Sequence, residues 1–292
     1  REALPAGWEQ VELSVKGLKG GHSGIDIHEN RANAIKVMGL LLDRLGRECG
    51  GLRILRVDGG SMRNAIPREC DALAAVPAGG RAKAAGVCAA LQEELKADYG
   101  KTDPGAKVLL GESAAAGEAF GEEETRRLLA LLTATPSGVI ALDRQIKGQP
   151  ETSSNLGVVK TEGDTVRMVN CSRSSSGSAL AAVRSGLRCL AEGVGGRATF
   201  KGGYPGWKPD MDSKLLARFS EKHEEVVGRK PEILSIHAGL ECGLLGEKFP
   251  GMEMISFGPD MESVHSPDER LNIPSTQRFH HLLKEMVASL AG

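Results

Sequence analysis

The feature that most limits what this chain can become is a change of hydrophobic period between its first two elements. In "WEQVELSVKGL" apolar residues fall at every second position, Val11, Leu13 and Val15, which puts them on one side of a strand. In "RANAIKVMGLLLDRLGREC" the spacing becomes three and four: Ala34, Ile35, Met38, Leu41, Leu42, Leu45 and Cys49 form a helical stripe. A one-faced strand followed by a one-faced helix predicts a sheet with helices laid on it. "LRILRVDGG" and "RNAIPRECDALAAVP" read as further strands, the first closed by a turn at Asp58-Gly59-Gly60. An Ala-rich helix ending at Gly100, a short strand "KVLL" and a helix "EEETRRLLALL" that stops before Pro136 follow.

A similar block comes next. "TSSNLGVVKTEGDTVRMVNCS" predicts two strands joined around Glu162-Gly163-Asp164, and "SSSGSALAAVRSGLRCLAEG" a helix with Leu180, Val183, Leu187 and Leu190 on one side. Ser61-x-x-Asn64 echoes Thr152-x-x-Asn155, as in a weak internal duplication of a β-α-β-β-α unit. Beyond Lys201 the texture changes: five Gly and Pro residues between Gly202 and Pro209 read as a linker, with a domain boundary near 205. After it, helices alternate with the expected strands "PEILSI" and "MEMISFG", which predicts a parallel or mixed sheet covered by helices. The fold class expected is α/β: an α+β domain built on duplicated units, then a helix-covered α/β segment.

Net charge is −1 and aromatics are only 3%, which argues against nucleic acid and against an anionic membrane as partners. Six cysteines without a C-x-x-C pair read as reduced thiols of a cytoplasmic protein. The chain opens "REALPAGWEQ", without a methionine, as a fragment or processed chain would.

Candidate chemistry sits in four places. His265 lies in a loop, "GPDMESVHSPDERLNI", between a strand end and a helix, where α/β proteins gather catalytic groups. His237 and Glu241 lie in "IHAGLECGLL", a Gly-rich turn open to a ligand; equally, Glu241 suits the first turn of a helix facing its dipole. His22 sits in "GLKGGHSGID", which is either a site loop or a solvated hairpin. Arg173, ending a strand on the side of Arg167, Val169 and Cys171, could grip a carboxylate in a bidentate way or cap a sheet edge.

Taken in order, "GGHSGIDIHENRANAIK", "ETSSNLGVV", "GYPGWKPD", "IHAGLECGLL" and "SFGP…VHSPDERLNI" resemble the aminoacyl-histidine dipeptidases, bacterial carnosinases of the dizinc family that includes carboxypeptidase G and the aminoacylases. The resemblance implies a catalytic α/β domain interrupted by a lid. Residues 1–7 would be a tail, 8–205 the lid or dimerisation domain, and 206–292 the last segment of the catalytic domain. It implies that His265 is a zinc ligand, that His22 hydrogen-bonds the developing oxyanion, that Asn155 and Arg173 hold the substrate's backbone and C-terminal carboxylate, and that Glu241 lies near the substrate. A dipeptide substrate, two zinc ions in the intact enzyme and a homodimer come with it.

The same resemblance exposes a gap. The family's H-x-D, bridging aspartate and glutamate pair precede its G-H-S-G motif. Here only 21 residues precede His22, and none of the seven histidines begins an H-x-D. "GEEET" at 121–125 is out of order for the glutamate pair and suits a helix N-terminus. The sequence therefore reads as part of a zinc dipeptidase, expected to bind zinc weakly at most and to be inactive by itself. Two other readings stand beside it: a non-catalytic lid module for substrate capture or dimerisation, and a mononuclear site of His237, Glu241 and His265.

Overall fold

A computed structural model describes every residue except 113–116, 145, 204–205, 208–209, 235–239, 263–268 and 292. The chain divides into two compact units, the first over Arg1–Gly202 and the second beyond it.

The first unit begins with β1 (Glu9–Lys16), the two-residue β2 (Gly21–His22), a 3-10 turn (Ile27–Glu29) and α1 (Ala34–Cys49). Then come β3 (Arg53–Gly59), β4 (Ala65–Ile66), β5 (Cys70–Val76), α2 (Gly80–Tyr99), β6 (Lys107–Glu112) and α3 (Glu122–Ala134). It closes with β7 (Gly138–Leu142), β8 (Pro150–Glu162), β9 (Thr165–Ser174) and α4 (Gly177–Gly193). The main sheet runs β6-β1-β5-β3-β8-β7, with β9 added to β8, and every pairing is antiparallel. Two β-α-β-β-α passes are visible in that order, β1-α1-β3-β5-α2 and β6-α3-β8-β9-α4, with β7 inserted. The Ser61/Asn64 echo is not part of this repeat. Asn64 lies in the turn before β4, whereas Asn155 lies inside β8, so the two motifs hold different backbone positions.

The change of period does what it predicts. Val11, Leu13 and Val15 are fully buried against α1, whose Ile35, Met38, Leu42 and Leu45 are equally buried in the same cluster. Asn33 starts that helix by accepting hydrogen bonds from the amides of Ile35 and Lys36, and Gly50 ends it in the left-handed region at φ 77°. Gly39 lets α3 approach closely, since a Cβ there would stand 3.0 Å from that of Leu132. Lys36 reaches across to the end of α3, donating to the carbonyls of Leu132, Thr133 and Thr135, which satisfies orphan acceptors of its last turn. β7, half-exposed at the sheet edge, adds a strand beyond those expected from the sequence.

The second unit contains α5 (Lys214–Val227), α6 (Glu241–Lys248), β10 (Met261–Glu262), β11 (Arg270–Leu271) and α7 (Ile273–Ala291). Its core is small: Phe219, Leu282 and Met286, with Leu215, Val226, Ile255 and Phe257 against them. The expected strands in "PEILSI" and "MEMISFG" are absent among the described residues, where the only pairing in this unit is the short β10–β11 ladder. Extended apolar residues become a strand only when a neighbour accepts and donates the ladder bonds, and among the described residues no neighbour pairs with these segments. Ile233, Leu234 and Met252 stay exposed. No described helix is long and apolar enough to cross a membrane.

Candidate active site

The loop carrying His22 is fastened at both ends to one side chain. Asp103, 1% exposed, accepts from the amide of Lys19 with Oδ1 and from that of Ala32 with Oδ2. Between those points β2 pairs with β4, His22 standing opposite Ala65, and the Ser23 amide donates to the Asn64 carbonyl. The imidazole is also fixed. Its Nδ1 accepts from the amides of Gly24 and Ile25, at 3.2 and 3.1 Å. A neutral imidazole has one acceptor nitrogen, so the proton belongs to Nε2, which is then the donor.

Asn155 and Arg173 lie on the β8–β9 hairpin. Met168 and Val166 of β9 pack on the core, so the alternate residues Cys171 and Arg173 take the opposite face, with their partners Asn155 and Ser153. The Asn155 amide nitrogen donates to the carbonyls of Arg63 and Ala65. Ala65 therefore joins two expected site residues: it is the ladder partner of His22 and takes a hydrogen bond from Asn155. The Thr-x-x-Asn segment thus bonds the backbone on either side of Asn64, although the two motifs occupy different places in the repeat. Asn155 is 1% exposed and its oxygen lies 3.5 Å from the Asn33 amide nitrogen, so in this structure the side chain holds β4 in place.

Arg173 is different. Its Nε is buried with no hydrogen-bond partner among the described residues, and so is the Oγ of Ser153 opposite it. A buried guanidinium N–H without an acceptor is costly and calls for an anionic or carbonyl oxygen.

Glu241 opens α6 as its first residue, exposed, where its carboxylate complements the helix dipole. His265 and His237 lie outside the described residues. No group of three or more His, Cys, Asp or Glu suited to a metal is gathered among the described residues. The acidic run at 122–124 starts α3, with Glu123 paired to Arg126 and Arg127 and Glu122 to Arg53. Those partners leave it a structural role. Sequence reasoning missed Asp103, Asp26 and Arg31, which hold the His22 loop; charged residues bordering a Gly-rich stretch were the available signal.

Comparison with known proteins first gives a class. Residues 13–103, from within β1 through α2 to Asp103, match the peptidase dimerisation domain. Particular relatives follow. The chain is 38% identical over 290 residues to the cytosol non-specific dipeptidase of Escherichia coli (strain K12), covering 99% of this chain and 60% of that one. It superposes on the crystal structure of aminoacylhistidine dipeptidase from Vibrio alginolyticus with a TM-score of 0.92 at 41% identity, covering 99% of this chain and 59% of the other. The resemblance carried by the five motifs thus holds along nearly the whole chain, which spans about three-fifths of the length of these relatives.

Proposed function

We propose that this chain is part of a cytoplasmic zinc metallodipeptidase that hydrolyses Xaa-His dipeptides with metal-activated water. The observation that carries the reading is His22: a ring held with Nε2–H as donor, in a chain similar throughout to a dipeptidase. Zinc, when bound, supplies Lewis-acid activation of water and of the peptide carbonyl, with His265 as one of its ligands. His22 donates from Nε2 to the oxygen that becomes negative as the carbonyl is attacked, a contribution of about 3–4 kcal/mol. Arg173 takes the free C-terminal carboxylate through the donor that lacks an acceptor among the described residues, which favours dipeptides over longer chains. Asn155 keeps β4, and through it His22, in register; by the motif resemblance Asn155 would also hold the substrate's backbone, and Glu241 would be a substrate-pocket residue.

The 292 residues contain no H-x-D, so by themselves they are expected to hold substoichiometric zinc after dialysis and to cleave nothing. One or two tightly bound ions per chain, by elemental analysis, would overturn that part. The activity is tested in a chimera in which these residues replace their counterparts in the Escherichia coli dipeptidase. It should cleave Xaa-His dipeptides, and His22→Gln should lower kcat roughly 10²–10³-fold. A folded chimera without dipeptidase activity, or one indifferent to His22, counts against the reading. The dimerisation-domain match favours a second reading, in which the chain serves as a lid and dimer module without chemistry of its own.

A further inference from the structure

The His22 loop is braced by a charged pair with no part in the proposed chemistry. Arg31 has a side chain only 8% exposed, and each of its donor groups has an acceptor: Nη1 the Gly20 carbonyl, Nη2 the Asp26 carboxylate, and Nε the Glu29 carboxylate. Asp26 uses both oxygens. Oδ1 takes Arg31 at 3.1 Å and Oδ2 takes the backbone N–H of His22 at 2.7 Å. The Asp26 amide in turn donates to the His22 carbonyl at 2.9 Å, so one residue grips both polar backbone groups of the histidine. Gly21 permits this closure. At φ 142° a Cβ on it would stand 2.2 Å from Arg31 Nη1 and 2.6 Å from Asp26 Oδ2.

The amides that define the ring's state, those of Gly24 and Ile25, lie inside the turn that Asp26 closes. They point at Nδ1 only while the turn from 22 to 26 keeps its shape. We propose that Asp26 and Arg31 are positioning residues that hold His22 in the Nε2–H tautomer. A buried guanidinium with an acceptor at each of its three nitrogens is a stiff post, and the carboxylate passes that stiffness to the histidine backbone. A loop this rich in glycine would otherwise sample both tautomers and several ring orientations. The use made of Nε2–H rests on the function proposed above. The tautomer itself is a property of this chain without substrate or metal.

The test is a long-range ¹H–¹⁵N correlation spectrum of the labelled 292-residue chain, above the ordinary histidine titration range. His22 is assigned by the signal lost in His22→Gln. The wild-type ring should show a protonated Nε2 and an acceptor Nδ1. In Asp26→Asn and in Arg31→Gln the two ring nitrogen shifts should move toward each other as the Nδ1–H form becomes populated, while the amide signals of β1 and β5 stay in place. A purely structural brace would lower stability and leave the ring shifts unchanged in the folded variants, which overturns the proposal. A protonated Nδ1 in the wild type overturns it whether or not either variant folds. Because no turnover is measured, failure here leaves the dipeptidase reading standing, and an inactive chimera leaves this result standing.

Discussion

Two helices of the first unit follow the same sequence rule and meet different fates. α1 and α4 each carry an apolar stripe; α1 is the first helix of one β-α-β-β-α pass and α4 the last helix of the other. α1 buries nine residues between the sheet and its neighbouring helices. α4, one residue longer, buries none, and Leu180, Val183, Leu187 and Leu190 are only half-covered. An apolar stripe therefore shows that a helix needs a cover and leaves open whether its own chain provides one.

The comparison breaks most sharply under truncation. Leu42→Ala in α1 should cost about 3–5 kcal/mol in urea unfolding, because a closed core cannot collapse around the cavity. Leu187→Ala in α4 should cost roughly 1 kcal/mol or less at low protein concentration. Equal losses would show that α4 is packed as firmly as α1. If a second copy covers α4, the Leu187→Ala loss should grow with protein concentration.

Thiol chemistry sharpens the same contrast, since each helix carries a cysteine. Cys49 of α1 is buried and its thiol is pushed up by burial; Cys189 of α4 is exposed. Cys88 of α2 is raised by burial to about 11 from an ordinary 9.0. At neutral pH that alone lowers its thiolate fraction roughly 10²-fold. Disulfide-exchange labelling of the native chain should therefore modify Cys189 first and leave Cys49, Cys70 and Cys88 until the protein opens. Early labelling of Cys49 would mean that α1 leaves the sheet easily.

The smallest effect concerns Lys36, the tie between α1 and α3. Burial lowers its pKa from 10.5 to about 8. Between those values the unfolded chain binds more protons than the native one, so this lysine's contribution makes stability rise with pH across that window. The side chain is partly solvated, so the effect is small. The melting temperature of the wild type minus that of Lys36→Met should grow by about 1–2 °C from pH 8 to pH 10. A flat or falling difference would indicate that the three carbonyl acceptors keep the ammonium charged.

Much of the first unit was legible because its elements are covered by one another. β1, α1, α2 and the β8–β9 hairpin follow from period, from Gly100 at the end of α2, and from Gly163 at φ 62° in the turn. β7 was not legible: its five residues expose Val139, Ile140 and Leu142, so no alternation announces a buried face. The two expected strands of the second unit failed for the opposite reason. Their composition is right, yet a ladder is a relation between segments and neither finds its other half among the described residues. In the site, "GGHSG" pointed to His22, whereas the work of Asn155 on the Arg63 and Ala65 carbonyls appears only once the chain is folded.

The sheet also has a built-in order of assembly. β8 and β9 are joined by a two-residue turn and can zip together locally, as can the helices beside them. The link from that hairpin to the earlier strands is the pairing of Gly59 with Val159, which lie 100 positions apart. Closing so long a loop delays its reward until both halves have largely formed. The His22 loop depends on that step, because Asn155 can reach Ala65 only after β8 has arrived. A nascent chain would thus acquire its hairpin early and its ordered histidine late, when residues near 160 have joined those near 60.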